Sequence, residues 1–399
     1  MRRRLLLLVL VTAALAVSWL AFDLLSPYRG YSGNNLFEIR SGLRASQIAD
    51  LLVARGVLRH RWPFLLRYLA GRPRHSLRAG EYLFDRPLRP IDVYRKLVQG
   101  DVYLHSIVVP EGSDRFDIAR ILNQRLGIDP AQFLEDTKQA GAIRDLDPEA
   151  PSLEGYLFPD TYRFPRGASA EAVVNTMLTR FRRIIATRLA DQGLLPTPDL
   201  PHSGRGAGTP TADSPPPLGR GAGGGVKSWH DVITLASLVE KETPEAPERP
   251  LIAGVFVRRL KSGMPLQSDP TVVYAARLES RPIGPITASD IELESPYNTY
   301  RHAGLPPGPI ANPGEASIRA ALHLAGGDAL YFVANNQGGH VFSRTLAEHQ
   351  RNVARYRRAL AALRRNQAAG TNSSPPAQEA VPSAARAQKR GRNQKASHP

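Results

Sequence analysis

The chain has 399 residues, a formal net charge of +16 and no cysteine. That length leaves room for two or three domains, and the missing cysteine excludes a disulfide framework, a thiolate metal site and a cysteine nucleophile. The charge first suggests nucleic acid or an anionic surface. Residues 364–399, however, carry seven Lys and Arg against one Glu, and Arg2, Arg3 and Arg4 add three more charges. Over half of the excess therefore sits in two terminal segments. No nucleic-acid module pattern accompanies it, so no nucleic-acid partner is expected.

Leu5 to Phe22 is apolar apart from Thr12 and Ser18. As a helix it spans about 27 Å at ~1.5 Å per residue, close to the ~30 Å of bilayer hydrocarbon. This predicts a cytoplasmic stub over 1–4 and a single transmembrane anchor over 5–25, with the arginines holding the N-terminus inside. Trp19 and Tyr28 fit the far interface. The rival is a cleaved signal peptide, because Ala14-Leu15-Ala16 resembles a cleavage site. Cleavage there would leave Trp19, Leu20 and Phe22 near a new N-terminus, which favours the anchor. Either way the rest of the chain is exported.

Residues 36–105 twice show a strand pattern, a turn and a helical pattern. The first unit, 36–58, places Ile48, Leu51 and Leu52 on one helical side. The second, 80–100, alternates Tyr82 and Phe84, then spaces Ile91, Tyr94 and Leu97/Val98 helically. This is a small α+β module, and periodicity alone does not separate a LysM-like sugar-binding module from one of another purpose. A larger, α-rich mixed region follows over 106–363. It is interrupted at 195–225 by a Pro/Gly-rich stretch that cannot build a core and reads as a disordered surface insertion. A basic tail over 366–399 reads as disordered too.

Beyond the insertion, Ser228 and Asp231 make a capping-box-like start. Val232, Leu235, Ala236 and Val239 form one stripe, and Pro244 ends the helix. Glu240 and Glu242 flank that stripe while Lys241 points away. Carboxylates usually favour a helix's first turn, so two of them at the end of a half-buried helix invite a functional reading. The bland alternative is a solvated carboxylate paired with Arg249 or Arg258. Downstream, Asp269-Pro270 and Asn312-Pro313 each read as an N-cap followed by a helical proline. The run Tyr297-Asn298-Thr299-Tyr300 has no such explanation and is rich in groups that stack on and bond to sugars. Residues 329–343 read as a hairpin around Asn335-Asn336-Gln337-Gly338-Gly339, with His340 in a structural role. No metal site is expected, since no second histidine or carboxylate stands at ligand spacing.

Five motifs together, "LEGYLFPDTY" (153–162), "ASLVEKET" (236–243), "LQSDPTVVY" (266–274), "PYNTY…GLPPGPIANPG" (296–314) and "YFVANNQGGHVFS" (331–343), resemble the MltG (YceG-like) endolytic murein transglycosylases. The resemblance covers about 36–363 in order, and the long 195–225 insertion departs from it. It implies an α+β protein with an inner-membrane anchor, a LysM-like subdomain over 36–105 and a periplasmic catalytic domain over 106–363. The implied reaction is cleavage of the MurNAc-β-1,4-GlcNAc bond of nascent glycan strands, leaving 1,6-anhydromuramoyl ends without any cofactor. The second glutamate of the E-K-E-T motif, Glu242, is the implied catalytic residue. Apolar neighbours Leu235, Leu238 and Val239 would favour its protonated form. Glu154, Glu240, Gln267, Asp269, Tyr274, Tyr297, Asn298 and Tyr300 are the expected substrate-binding residues. Peptidoglycan strands are the implied partner, with peptidoglycan synthases as candidate protein partners. A hydrolytic muramidase, drawing a second carboxylate from Glu154, Asp160 or Asp269, and a non-catalytic wall-binding protein remain as alternatives.

Overall fold

The apolar run near the N-terminus forms helix α1, Arg2–Leu25. The computed structural model describes residues 2–71, 76–186, 228–282 and 284–371; the predicted insertion and the tail beyond residue 371 lie outside them. These residues fall into two compact units, 1–330 and 331–399. Among the described residues, α1 is the one helix long and apolar enough to cross a membrane, over Arg3–Leu25 with mean hydropathy 2.6. Its side chains from Leu5 to Phe22 face outward, as lipid contact requires.

Strand β1 (Asn35–Ile39) pairs antiparallel with β2 (Gly80–Phe84), Phe37 opposite Tyr82. Between them lie α2 (Ala45–Ala54) and a helix the sequence reading missed, α3 (Trp62–Gly71); α4 (Pro90–Gln99) follows. The strands of the two strand–helix units thus pair with each other across α2 and α3. Phe37, Ile39, Ile48, Leu52, Phe64, Tyr82, Phe84, Val93, Tyr94 and Leu97 close a core of their own. Ile48, Leu52, Tyr82, Phe84, Tyr94 and Leu97 occupy it as their spacing predicts, whereas Leu51 is only partly buried against it.

The expected boundary at 105/106 falls inside a strand. β3 (Leu104–Val108) pairs antiparallel with β4 (Thr161–Pro165). His105 Nε2 and Glu81 Oε2 lie 2.6 Å apart, and the Tyr103 N–H donates to the Glu81 carbonyl at 2.6 Å, so β2 is tied directly to the segment that leads into β3. The larger region continues with α5 (Arg115–Leu126), capped by Asp114, α6 (Pro130–Lys138) and α7 (Ala170–Ile184). After the undescribed segment come α8 (Trp229–Glu242), α9 (Arg249–Lys261), α10 (Asp269–Leu278), the short α11 (Ala288–Ile291) and α12 (Glu315–Leu322).

Helix α8 organises this region. Ser228 caps it by accepting from the Asp231 backbone N–H at 3.2 Å, as predicted. Thr243 leaves the helix in an extended conformation before Pro244, because a proline disfavours helical geometry in its predecessor. The single apolar stripe is a misreading: every residue from His230 to Val239 is buried. A helix surrounded by other elements needs no polar face, so α8 is a core helix and only its last turn emerges.

In the second unit, β5 (Tyr331–Ala334) and β6 (His340–Ser343) form the predicted antiparallel hairpin. Asn335 Oδ1 accepts from the N–H groups of Gln337 and Gly339, and His340 sits edge-on to Phe332 at 5.3 Å. The last helix, α13 (Leu346–Thr371), continues past residue 366, where the tail was expected to begin.

Candidate active site

The two carboxylates at the end of α8 have different surroundings. Glu240 is only 5% exposed at its side chain. Its Oε1 accepts from Arg249 at the start of α9 at 3.1 Å, and its Oε2 accepts from the Gly314 N–H ahead of α12 at 2.9 Å. Arg249 is itself 8% exposed and lies 3.7 Å from Glu111. Burial and the Glu240 charge push the Glu111 carboxyl up, against the pull of Arg249. A Cβ on Gly314 would stand 2.0 Å from Glu111 Oε1, so a larger residue there would have to displace the Glu111 side chain. Of the two bland partners, Arg249 is the real one, and Glu240 is a buried tie between three helices. Arg258 turns instead to the Ala329 carbonyl.

Glu242 ends the helix half-buried. Its Oε1 accepts from Ser268 Oγ at 2.5 Å. Ser268 is the N-cap of α10, and its own N–H donates to Thr299 Oγ1 at 3.0 Å. Thr299 also bonds Thr271 and receives the Gln267 N–H at its carbonyl. This pins the Tyr297–Tyr300 run to the start of α10. Tyr300 then donates its hydroxyl to Asp269 Oδ1 at 2.5 Å. Burial, that bond, and the nearby charges of Asp269 and Glu242 all push the Tyr300 hydroxyl pKa up. Gln267 and Asp269 are exposed, and Gln267 adopts φ +52°, a left-handed backbone that is uncommon for a non-glycine residue. Glu242, Ser268, Asp269, Gln267 and Tyr300 thus share one surface locus.

Besides Glu240, three expected substrate-binding residues are interior ones. Asn298 is 0% exposed; its Nδ2 donates to the Ile291 and Leu293 carbonyls, and its Oδ1 accepts from the Tyr300 N–H. It folds the loop rather than facing outward. Glu154 is 1% exposed and accepts from the Arg115 N–H at 3.1 Å, Tyr274 Oη at 3.1 Å and Asn312 Nδ2 at 2.8 Å. Burial first, and the Asp114 charge second, push its carboxyl up to about 8. Tyr274 is spent on that bond and is buried as well. Tyr297, half-buried, packs its ring 5.1 Å from Tyr274. With Glu154 interior, and Asp160 paired with Arg180 at 2.6 Å, Asp269 is the one of the three candidate second carboxylates that shares a locus with Glu242.

The two proline-linked caps are displaced. Asp269 is the first residue of α10, not its cap, and Asn312 precedes α12, whose N-cap is Gly314. Fully buried Asn312 accepts from the N–H groups of Gly155 and Leu157 and donates to the Ser113 carbonyl and Glu154. Sequence reasoning missed its role, as it missed Ser268 and Thr299, although all three stand within the motifs. It also missed the anchor of α8's other end. There, buried Asp147 accepts from Tyr156 Oη and lies 2.8 Å from His230 Nδ1. Burial works against an ionised Asp147, but these two partners outweigh it and hold its pKa below the ordinary value. Among the described residues no cluster of three or more His, Cys, Asp or Glu could hold a metal ion.

The YceG-like family profile matches residues 37–355. An endolytic murein transglycosylase of Bacillus subtilis (strain 168) is 32% identical over 336 residues, which cover 80% of this chain and 84% of the relative. One from Streptococcus pneumoniae serotype 2 (strain D39) is 27% identical over 347 residues, covering 80% of this chain and 57% of that longer protein. The crystal structure of a yceG-like protein from Listeria monocytogenes covers 80% of this chain and 99% of its own, with 30% identity and a TM-score of 0.49. On the extent of the profile match and of the Bacillus subtilis relative, the chain belongs to the YceG-like family.

Proposed function

We propose that this protein is an endolytic murein transglycosylase with Glu242 as its single catalytic acid and base. The observation that carries the reading is the placement of Glu242: a half-buried carboxyl at the emerging end of a core helix, bonded to Ser268, beside exposed Asp269 and Gln267. Cleaving the MurNAc-β-1,4-GlcNAc bond requires a proton on the leaving oxygen. Glu242 donates it, the C1–O4 bond breaks, and the muramoyl 6-hydroxyl attacks C1. That hydroxyl returns its proton to Glu242, so a 1,6-anhydro ring forms and no water is consumed. Because the nucleophile belongs to the substrate, the attack is intramolecular and needs no second carboxylate of the kind most glycosidases use. In this reading Gln267, Asp269 and Tyr300 bond the sugar, and Tyr297 packs on it. Glu240, Glu154, Tyr274 and Asn298 act from the interior as supports.

The family resemblance and the apolar α1 support a protein anchored in the inner membrane by residues 5–25, with its N-terminus cytoplasmic and the remainder periplasmic. The separate core of residues 37–97 supports a LysM-like subdomain, joined to the catalytic region without a flexible break. A muramidase on the same scaffold would recruit Asp269 to activate water. Mass spectrometry of digested glycan strands separates the readings. Anhydro ends that vanish in Glu242→Gln, with the melting temperature kept, are expected. Reducing ends would establish hydrolysis instead, and cleavage unchanged in Glu242→Gln would remove Glu242 from the chemistry.

A further inference from the structure

The surface of α3 that faces away from the small module's core is apolar. Phe64, Leu65 and Tyr68 pack inward. Leu66 and Leu69 are 52% and 62% exposed, and with Trp62 they stand at i, i+4 and i+7, one face of a helix. Arg61 and Arg67 are exposed beside them. An exposed amphipathic face of this kind needs an occupant.

The contacts of α3 with α1 identify it. Trp62 and Trp19 have ring centroids 6.4 Å apart, and Trp19 stands 5.7 Å from His60. Trp19 belongs to the apolar span, about 9 Å from its Leu25 end at ~1.5 Å per residue. Half-buried Trp62 therefore lies at the level of the span's final turns. The junction is not a loose tether. Asp23 and His60 lie 3.0 Å apart, and Arg59 covers the rings of Phe22 and Tyr28 at 4.9 and 5.1 Å. Tyr28 exchanges backbone bonds with Leu88, and the Gly30 N–H donates to the Gly56 carbonyl at 2.8 Å.

We infer that α3 is an interfacial helix: Trp62, Leu66 and Leu69 enter the outer leaflet of the bilayer that α1 crosses, with Arg61 and Arg67 at the phosphates. Helices of this type bury their apolar face ~5–10 Å into the headgroup boundary, which matches the depth that the Trp19 contact sets. Basic side chains reach the headgroups while their stems stay on apolar surface. The small module is then laid on the membrane rather than held away from it on a stalk. The inference rests on the anchor reading given above.

The test uses the full-length protein in vesicles of phosphatidylethanolamine and phosphatidylglycerol. The chain has no cysteine, so Leu66→Cys and Leu69→Cys each create one labelling position for an environment-sensitive fluorophore. Ala131→Cys, exposed on α6, is the aqueous control. Labels at 66 and 69 should be blue-shifted, should lose fluorescence to lipids spin-labelled high on the acyl chain, and should resist iodide; the label at 131 should do the reverse. A label-free arm compares quenching of the native tryptophans by brominated lipid, which should fall in Trp62→Phe. Protein retained in carbonate-washed vesicles with labels 66 and 69 open to iodide, or with quenching unchanged by Trp62→Phe, would overturn the interfacial helix alone. Protein released by carbonate would overturn the anchor reading and this inference with it.

Discussion

Glu154→Gln tests whether the interior of the catalytic region holds a neutral carboxyl. In the folded protein the Glu154 pKa is pushed up to about 8, from an ordinary value of 4.5. Between these values the folded state keeps a proton that the unfolded state has lost. Stability therefore falls as pH rises, by about 1.4 kcal/mol per pH unit at most. Integrated from pH 5 to pH 8, the loss is about 3–4 kcal/mol, enough to lower Tm by several degrees. The amide has the shape of the acid but no titration. Its oxygen can keep the Asn312 bond, whereas its NH2 group meets the Arg115 N–H, which cannot turn to accept it. Leaving one such buried donor unpaired costs ~1–3 kcal/mol at every pH.

The two proteins should therefore differ in slope. Glu154→Gln should be the less stable at pH 5 and the more stable at pH 8, with the curves crossing at roughly pH 6. Thermal unfolding of the full-length proteins in detergent, at pH 5, 6, 7 and 8, reads this directly. His230 adds its own slope. Burial lowers its pKa, but Asp147 more than restores it, leaving it above the ordinary value. Its contribution is present at low pH and lost as pH rises through the folded pKa, in both proteins alike. The difference between them isolates Glu154. Parallel curves from pH 5 to pH 8 would refute the neutral buried carboxyl.

Three further substitutions separate support from chemistry. Glu240→Gln should lower stability by ~2–4 kcal/mol, since it leaves the Arg249 charge buried beside only Glu111, and should act on cleavage chiefly through that loss; thermal unfolding measured beside glycan digestion checks both. Ser268→Ala removes the hydroxyl that orients the Glu242 carboxyl, a bond worth ~0.5–1.5 kcal/mol, and should cut kcat by up to roughly tenfold with only a small fall in Tm. Asn298→Ala should lower Tm markedly, because the Ile291 and Leu293 carbonyls lose their donors; the surface-groove expectation would have left Tm unchanged.

What could be read from the sequence follows from which signals are local. Ser228 and Pro244 bound α8 through backbone chemistry within a few residues, and both ends fall as expected. The hairpin at 331–343 is equally local, since Asn335 and Gly338 shape the turn between its strands. The burial of the whole of α8 was not legible, because its enclosure comes from α9, α10 and α12 at long separation. Asn298 and Asn312 mislead for a related reason. An amide beside a proline reads as a cap or a sugar contact, yet an amide has donors and acceptors enough to bracket several loops when buried. Asn312 uses them to hold residues 113, 154, 155 and 157, partners no periodicity could name.

The two glutamates of the E-K-E-T motif divide support from chemistry. A core helix that must present a functional carboxyl needs its end fixed, and apolar packing alone leaves a last turn free to fray. At the start of α8, His230 is held by Asp147. At the other end Glu240 binds Arg249 and the Gly314 N–H, and Lys241 donates to the Gly112 carbonyl at 3.2 Å. Glu240 is thereby paired, and fixed, about half a turn before Glu242. Residue 242 then emerges at a position set on three sides, where α10 presents Ser268. Exchanging the two roles would bury the proton carrier in an ion pair and expose the structural tie. The spacing of two residues suits this division, since it turns one carboxyl toward α9 and α12 and the other toward α10.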